Sequence, residues 1–237
     1  MAATAFVPPL LFPGEHDRTL PVHERFWFKA NLFHAVFGFV GNYFMTHYFY
    51  SVLGARYTFD TYWFNNVPIP CYIATQAYFC LYHAASTVVL RRLTFSLTPR
   101  ACRIAAFFLV PALCYIAALF ETTSIAWFPH YDFPDRRAMY IIGSAFYGMY
   151  FLPTFPVLWA MDEDPLLSPE QRREAKGESR SKPQRWTSIE VAAAALASGM
   201  LVIFLLDFWR LGFGALHEGQ EVAPLAEASG KVPFVQF

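Results

Sequence analysis

Five uninterrupted apolar stretches, at 32–53, 69–90, 104–126, 138–160 and 191–212, constrain this chain more than any other feature. Each runs 22 or 23 residues, which at about 1.5 Å of helical rise per residue matches the roughly 30 Å hydrocarbon core of a bilayer. Together they hold three formal charges, Glu121, Asp207 and Arg210. Helices of a soluble bundle carry an apolar stripe beside a polar one; these windows are apolar nearly all round. The expected fold class is therefore all-α, a polytopic membrane bundle of five transmembrane helices. Its transmembrane domain runs 32–216, after an N-terminal segment at 1–31, with a polar loop at 162–186 between spans four and five and a C-terminal tail at 217–237. The N-terminal MAATAFVPPLLFPGEHDR has too short an apolar run and too few basic residues for a signal peptide.

Charge placement orients the bundle. Thirteen of the eighteen Lys and Arg residues fall in the N-terminal segment (Arg18, Arg25, Lys29), the loop after span two (Arg91, Arg92, Arg100, Arg103) and the loop after span four (Arg172 to Arg185). Cytosolic loops carry such an excess, so the N-terminus is expected in the cytosol and the C-terminus across the membrane. Tryptophan agrees: Trp27, Trp127, Trp159, Trp186 and Trp209 lie near predicted span ends, where the ring is half solvated, and Trp63 lies in a loop. The eighteen cations balance eighteen Asp and Glu, leaving no basic excess for a nucleic-acid partner. Cys71, Cys80, Cys102 and Cys114 lack C-x-x-C spacing, and neither G-x-G-x-x-G nor H-E-x-x-H occurs, so no metal and no nucleotide or redox cofactor is expected.

Ionisable groups inside a span are expensive and usually mark a site. From the expected cytosolic face, His47, Glu121 and Asp207 lie about 23, 26 and 24 Å deep at helical rise, one layer toward the luminal side, and Gln76 reaches a similar depth from the opposite end. Glu121 has no cation in helical reach on its own span, since positions 117, 118, 124 and 125 are Ala, Ala, Ser and Ile. It must find a partner on another helix or stay neutral, because an unpaired buried carboxylate is costly. Asp207 and Arg210 are three apart on one helical face, an ion-pair spacing. Asn42 and Thr46 sit one turn apart and suit interhelical hydrogen bonds. His83 falls in the cytosolic part of span two, and His34 near the cytosolic end of span one. Pro111, Pro153 and Pro156 should kink spans three and four and open room between helices. Tyr43, Tyr50, Tyr115, Tyr147 and Tyr150 would line a flat apolar slot suited to a rigid lipid.

Several strings are long and unusual: FWFKANL (26–32), VGNYFMTHYF (40–49), YTFDTYWFNNVP (57–68), YHAASTVVLRRL (82–93), ETTSIAWFPHYDFPDRRAMY (121–140), FPVLWAMDE (155–163) and DFWR (207–210). In this order they resemble the cycloeucalenol cycloisomerase family, the cyclopropyl sterol isomerases of plants and algae. The resemblance implies a multi-pass enzyme of the endoplasmic reticulum membrane, acting in sterol biosynthesis. Its reaction opens the 9β,19-cyclopropane of cycloeucalenol to give obtusifoliol, a Δ8 sterol.

The polar layer fits that chemistry. A cyclopropane is a very weak base, so opening needs a positioned acid to protonate C19, leaving a cation near C9 that becomes the alkene when the C8 proton departs. Both hydrogens lie on the sterol β face, so one acid/base group or two neighbours can serve. The expected catalytic residues are Glu121 as proton donor, His47 as acceptor of the C8 proton, directly or through the same carboxyl, and Asp207 offsetting the cation. Asn42, Tyr43, Gln76, Tyr147, Trp209 and Arg210 are expected to contact the substrate, with ring faces favouring the cation. Asn65, Asn66, Asp132 and His130 are candidates to anchor the sterol 3-hydroxyl. The expected partners are a cyclopropyl sterol and the lipid bilayer. Two alternatives need much of the same layout: a sterol Δ8–Δ7 double-bond isomerase, and a non-catalytic sterol-binding membrane protein, which needs the slot but not the acid.

Overall fold

The computed structural model describes residues 20–161 and 186–214; the segment 1–19, almost all of the 162–186 loop and the tail at 217–237 lie outside the described residues. Helix α1 (Phe26–Val40) runs through a π-helical turn (Gly41–Met45) into α2 (Thr46–Leu53), so the first apolar window forms one helical rod. Gly54 ends it at φ 65°, a left-handed cap that glycine adopts without strain. The second window is α3 (Ile69–Ser96) and the third α4 (Pro99–Ile125). Proline near the start of each helix removes an N–H that would have no partner there, and the Thr98 hydroxyl accepts from the Ala101 N–H at 3.5 Å.

The fourth window is segmented. A single turn, α5 (Arg136–Ala138), leads through a second π turn (Met139–Gly143) into α6 (Ser144–Gly148), and α7 (Phe151–Met161) follows at a bend of 45°. Pro153 explains the bend: it offers no N–H to the Met149 carbonyl, and its ring crowds that same oxygen. Pro111, by contrast, is accommodated inside the continuous α4. The fifth window, α8 (Ser188–Phe213), opens on a capping box. The Thr187 hydroxyl accepts from the Glu190 N–H at 3.2 Å, and the Glu190 carboxylate accepts from the Thr187 N–H at 2.7 Å.

The protein is an all-α membrane protein. Among the described residues, α4 and α8 each have the length and apolarity to cross a bilayer, and the bent α5–α7 unit makes a third when read as one span. The first two windows are helical as well, but the π turn divides the first, and residues such as Thr75, Gln76, His83, Ser86 and Thr87 dilute the apolarity of the second.

Packing centres on α7, which contacts α3, α4 and α8, while α1 lies against α3 and α8 and α6 lies along α4. The core is aromatic: Phe33, Phe37, Phe146, Phe151 and Phe155 are all fully buried. Small residues bring the helices close, as expected where lipid supplies no hydrophobic drive between them. A Cβ on Gly199 of α8 would stand 2.8 Å from Val40 Cγ1 of α1, so only glycine permits that approach.

At the end of the bundle away from the arginine-rich loops, two short ladders tie the connections together. β1 (Arg56–Tyr57) pairs antiparallel with β4 (Tyr131–Asp132), and β2 (Trp63–Phe64) with β3 (Val67–Pro68). The β2–β3 turn is Asn65-Asn66 with φ 49° and 57°, the doubly left-handed geometry of a tight hairpin, for which asparagine is well suited.

Candidate active site

A cavity of about 70 Å³ lies beneath the β1–β4 ladder. Its walls include Asn42 of the first π turn and Thr46 just after it, Cys71, Thr75 and Tyr78 of α3, Glu121 and Thr122 of α4, Tyr57 and Tyr131 of the β1–β4 ladder, Met139 of the second π turn, and Tyr147 and Tyr150 of the bend region. Both π turns thus border the cavity, a frequent association of such turns with sites. The helices bring polar side chains here and the β1–β4 ladder closes the end over them. Burial pushes the Tyr57 and Tyr131 phenols well above their ordinary range, so both remain protonated.

Glu121 is the carboxyl of this cavity, and no imidazole lies among the described lining residues. Its Oε2 accepts a hydrogen bond from Tyr147 Oη at 2.6 Å, so the partner missing from its own span is supplied by α6. Tyr147 is set in place by Phe49, Tyr150 and Phe151, at ring separations of 5.3, 5.0 and 5.4 Å. Tyr82 of α3 brings a second phenol beside the same carboxyl. Asn42 reaches the cavity wall, but its amide already donates to Gly38 O at 2.8 Å and Thr75 Oγ1 at 2.9 Å, tying the π turn to α3.

The other expected site residues face elsewhere. His47 lies outside the cavity lining, with Nε2 3.2 Å from Asn65 Nδ2. An amide N–H can only donate, so Nε2 accepts and His47 is a neutral latch to the hairpin. Asn65 donates to the Tyr43 carbonyl at 2.6 Å, and the Asn66 carbonyl accepts from Tyr50 Oη at 2.6 Å. The Asn65 side chain and the Asn66 backbone therefore fasten the hairpin to the first helical rod. The Tyr43 ring turns outward to Phe39, Phe44 and Phe64. Gln76 bonds Asn31 Oδ1 at 3.2 Å, part of a separate polar cluster with Cys80 and His34. Asp132 is opposite Arg56 in the β1–β4 register, and His130 lies 3.2 Å from the Thr58 carbonyl.

Asp207 takes Tyr48 Oη as its partner at 2.8 Å, and among the described residues no ion pair joins it to Arg210, which is exposed. Trp209 packs between Phe146 and Phe213. The divergence follows from helical geometry. His47 faces the hairpin, Tyr48 faces Asp207 and Phe49 faces Tyr147; successive residues point about 100° apart, so one level of the bundle contains three separate neighbourhoods.

Tyr78, Tyr82 and Tyr131 were not singled out from the sequence. A signal for two of them was present: Tyr78 and Tyr82 stand four apart on α3, as Tyr147 and Tyr150 stand three apart across the bend, spacings that place each pair on one face. Replacing Asn65 by glycine keeps the turn backbone and removes the latch. Asn65→Gly is expected to lower stability by about 1–2 kcal/mol, the penalty for leaving the Tyr43 carbonyl and His47 Nε2 without donors, measurable as a lower melting temperature in detergent.

No family model matches the sequence, and no solved structure matches it. Cycloeucalenol cycloisomerase of Arabidopsis thaliana is 43% identical over 227 residues, an alignment covering 92% of this chain and 74% of the relative. Identity at that level across nearly the whole described bundle, Glu121 and its phenol partners included in the span, places this chain in the cycloeucalenol cycloisomerase family.

Proposed function

We propose that this chain is a cyclopropyl sterol isomerase of sterol biosynthesis, converting cycloeucalenol to obtusifoliol in the endoplasmic reticulum membrane, with Glu121 as both acid and base. The observation that carries the chemistry is the Tyr147–Glu121 hydrogen bond of 2.6 Å on a cavity that holds no other described carboxyl or imidazole. Glu121 presents its proton from the oxygen not engaged by Tyr147. Transfer to C19 breaks the C9–C19 bond and leaves a cation at C9 and a carboxylate at Glu121. The C8 hydrogen is on the same face, so the carboxylate takes it back, and the C8–H electron pair closes the alkene. Protons balance over the cycle, and neither His47 nor Asp207 is needed for a transfer. The faces of Tyr78 and Tyr150 favour the transient cation.

A cavity of about 70 Å³ is smaller than the roughly 300–1,000 Å³ of ligand pockets, so a sterol must widen it. The wall formed by Ala74 and Tyr78 of α3 with Glu121 and Ile125 of α4 is half-buried, whereas the opposite wall of Asn42, Thr46, Tyr147 and Tyr150 is buried. Lateral admission from the bilayer between α3 and α4 follows, with Glu121 at the threshold. All five apolar windows are read as spans, the arginine-rich loops on the cytosolic side.

Membranes containing this protein, supplied separately with cycloeucalenol and with a Δ8 sterol, are expected to yield obtusifoliol from the first and to return the second unchanged, as analysed by gas chromatography. Conversion of the Δ8 sterol to a Δ7 sterol, with cycloeucalenol untouched, would assign a double-bond isomerase instead.

A further inference from the structure

We propose that the Tyr82 hydroxyl is a second hydrogen-bond donor to Glu121, engaged only after the carboxyl has given up its proton. The inference rests on the acid–base reading of Glu121 and adds a positioning residue to it. Tyr82 is buried on α3, its ring stacked on Tyr78 at 5.8 Å and held edge-on by Phe120 at 6.2 Å and Phe151 at 5.7 Å. Its hydroxyl is buried and lies beside the Glu121 carboxyl without making a hydrogen bond of standard geometry. A buried donor without an acceptor is a standing penalty that folded proteins rarely retain. Phenylalanine at this position would fill the same space without it.

The reaction supplies the missing acceptor. In the resting acid, Glu121 Oε2 is occupied by Tyr147 and the other oxygen carries the proton that the substrate needs. When that O–H bond breaks and the proton joins C19 with the electron pair of the C9–C19 bond, the carboxyl becomes a carboxylate with a second oxygen free to accept. Tyr82 donates to it. When the C8–H bond breaks, its proton returns to that oxygen, its electron pair forms C8=C9, and Tyr82 is again without a partner. Tyr82 never touches the sterol. Its bond exists only while charge is present, so it lowers the barrier without tightening substrate binding, in the manner of a preorganised oxyanion donor.

Tyr82→Phe in the full chain, assayed with cycloeucalenol, separates this role from a structural one. Loss of one such donor lowers kcat by about 100-fold; the expected result is that loss with KM within about twofold of wild type and a melting temperature unchanged or higher. Turnover within twofold of wild type would overturn the proposal, and so would a parallel fall of kcat and melting temperature, which would make the hydroxyl structural. Glu121→Gln measured alongside distinguishes the two levels. An inactive Glu121→Gln with a fully active Tyr82→Phe removes Tyr82 alone, whereas a fully active Glu121→Gln removes the acid–base reading beneath it.

Discussion

Glu121→Gln is expected to lower cyclopropane opening by about three to four orders of magnitude, the upper part of the range for removal of a general acid, while the bundle stays folded. The amide matches the carboxyl in shape, and its carbonyl oxygen still accepts from Tyr147, which sits at 2.6 Å from Oε2 in the native protein. What it lacks is an acidic proton to donate and a basic oxygen to receive one. The assay is the yield of obtusifoliol per amount of protein, with melting temperature as the control for folding. Glu121→Asp retains the acid but withdraws it by one methylene, about 1.5 Å, and is expected to recover only part of the activity, since reacting atoms need to be within about 3–3.5 Å. His47→Gln and Asp207→Asn serve as contrasts. Both residues lie outside the cavity lining, on Asn65 and Tyr48 respectively, so turnover within about tenfold of wild type is expected. Near-wild-type activity in Glu121→Gln, or its loss in His47→Gln with folding intact, would transfer the proton chemistry to another group.

Phe151→Ala is expected to have the largest effect on stability among core changes near the site, and to reduce activity with it. Phe151 is fully buried where α7 begins, stacked on Phe155 at 5.1 Å and set edge-on to Phe79 at 5.6 Å and Tyr82 at 5.7 Å. Its ring also holds Tyr147 at 5.4 Å. In a bilayer the transfer part of the usual large-to-small penalty fades, because lipid is as apolar as the core, but the cavity part remains. At about 24 cal/mol per Å³ over the ~100 Å³ removed, that part is about 2 kcal/mol. A drop in melting temperature in detergent measures it. Because both phenols around Glu121 rest on this ring, kcat is expected to fall as well. Phe151→Leu, which restores most of the volume, is expected to recover stability before activity. A variant that melts lower yet turns over normally would show that the phenols are held by their other neighbours.

How far the site was legible in the sequence depends on how each polar group is satisfied. Glu121 stood out because its own helix has no cation to offer it, and the structure does place its partner on another helix, as Tyr147. His47 and Asp207 stood out for the same reason of depth, yet each is satisfied by a neighbour the sequence does not rank, Asn65 and Tyr48. Asn42 reads as an interhelical hydrogen-bonder and a substrate contact; it lines the cavity while its amide donates to the Gly38 carbonyl and to Thr75 of α3. Asn65, which reads as a loop anchor for the sterol hydroxyl, donates to the Tyr43 carbonyl beside the first π turn. A π turn shifts which carbonyls receive helical bonds, and nothing in the apolar pattern announces where one will fall. Pro153 did announce its bend, since loss of an N–H and a crowded carbonyl are local effects; Pro111 shows that the surrounding helix can still absorb them.

By itself, the sequence determined the solvent this protein folds in and the helices it uses, because length and apolarity are sums along the chain and need no knowledge of neighbours. It also determined which residues are too polar to face lipid. Only the tertiary structure decided which of them meet. A level in a bundle is set by counting residues, but a direction is set by how each helix is rotated against the others, and one residue of rotation is about 100°. That rotation brings Glu121 to Tyr147, with Tyr82 beside it, and turns His47 and Asp207 toward neighbours of their own.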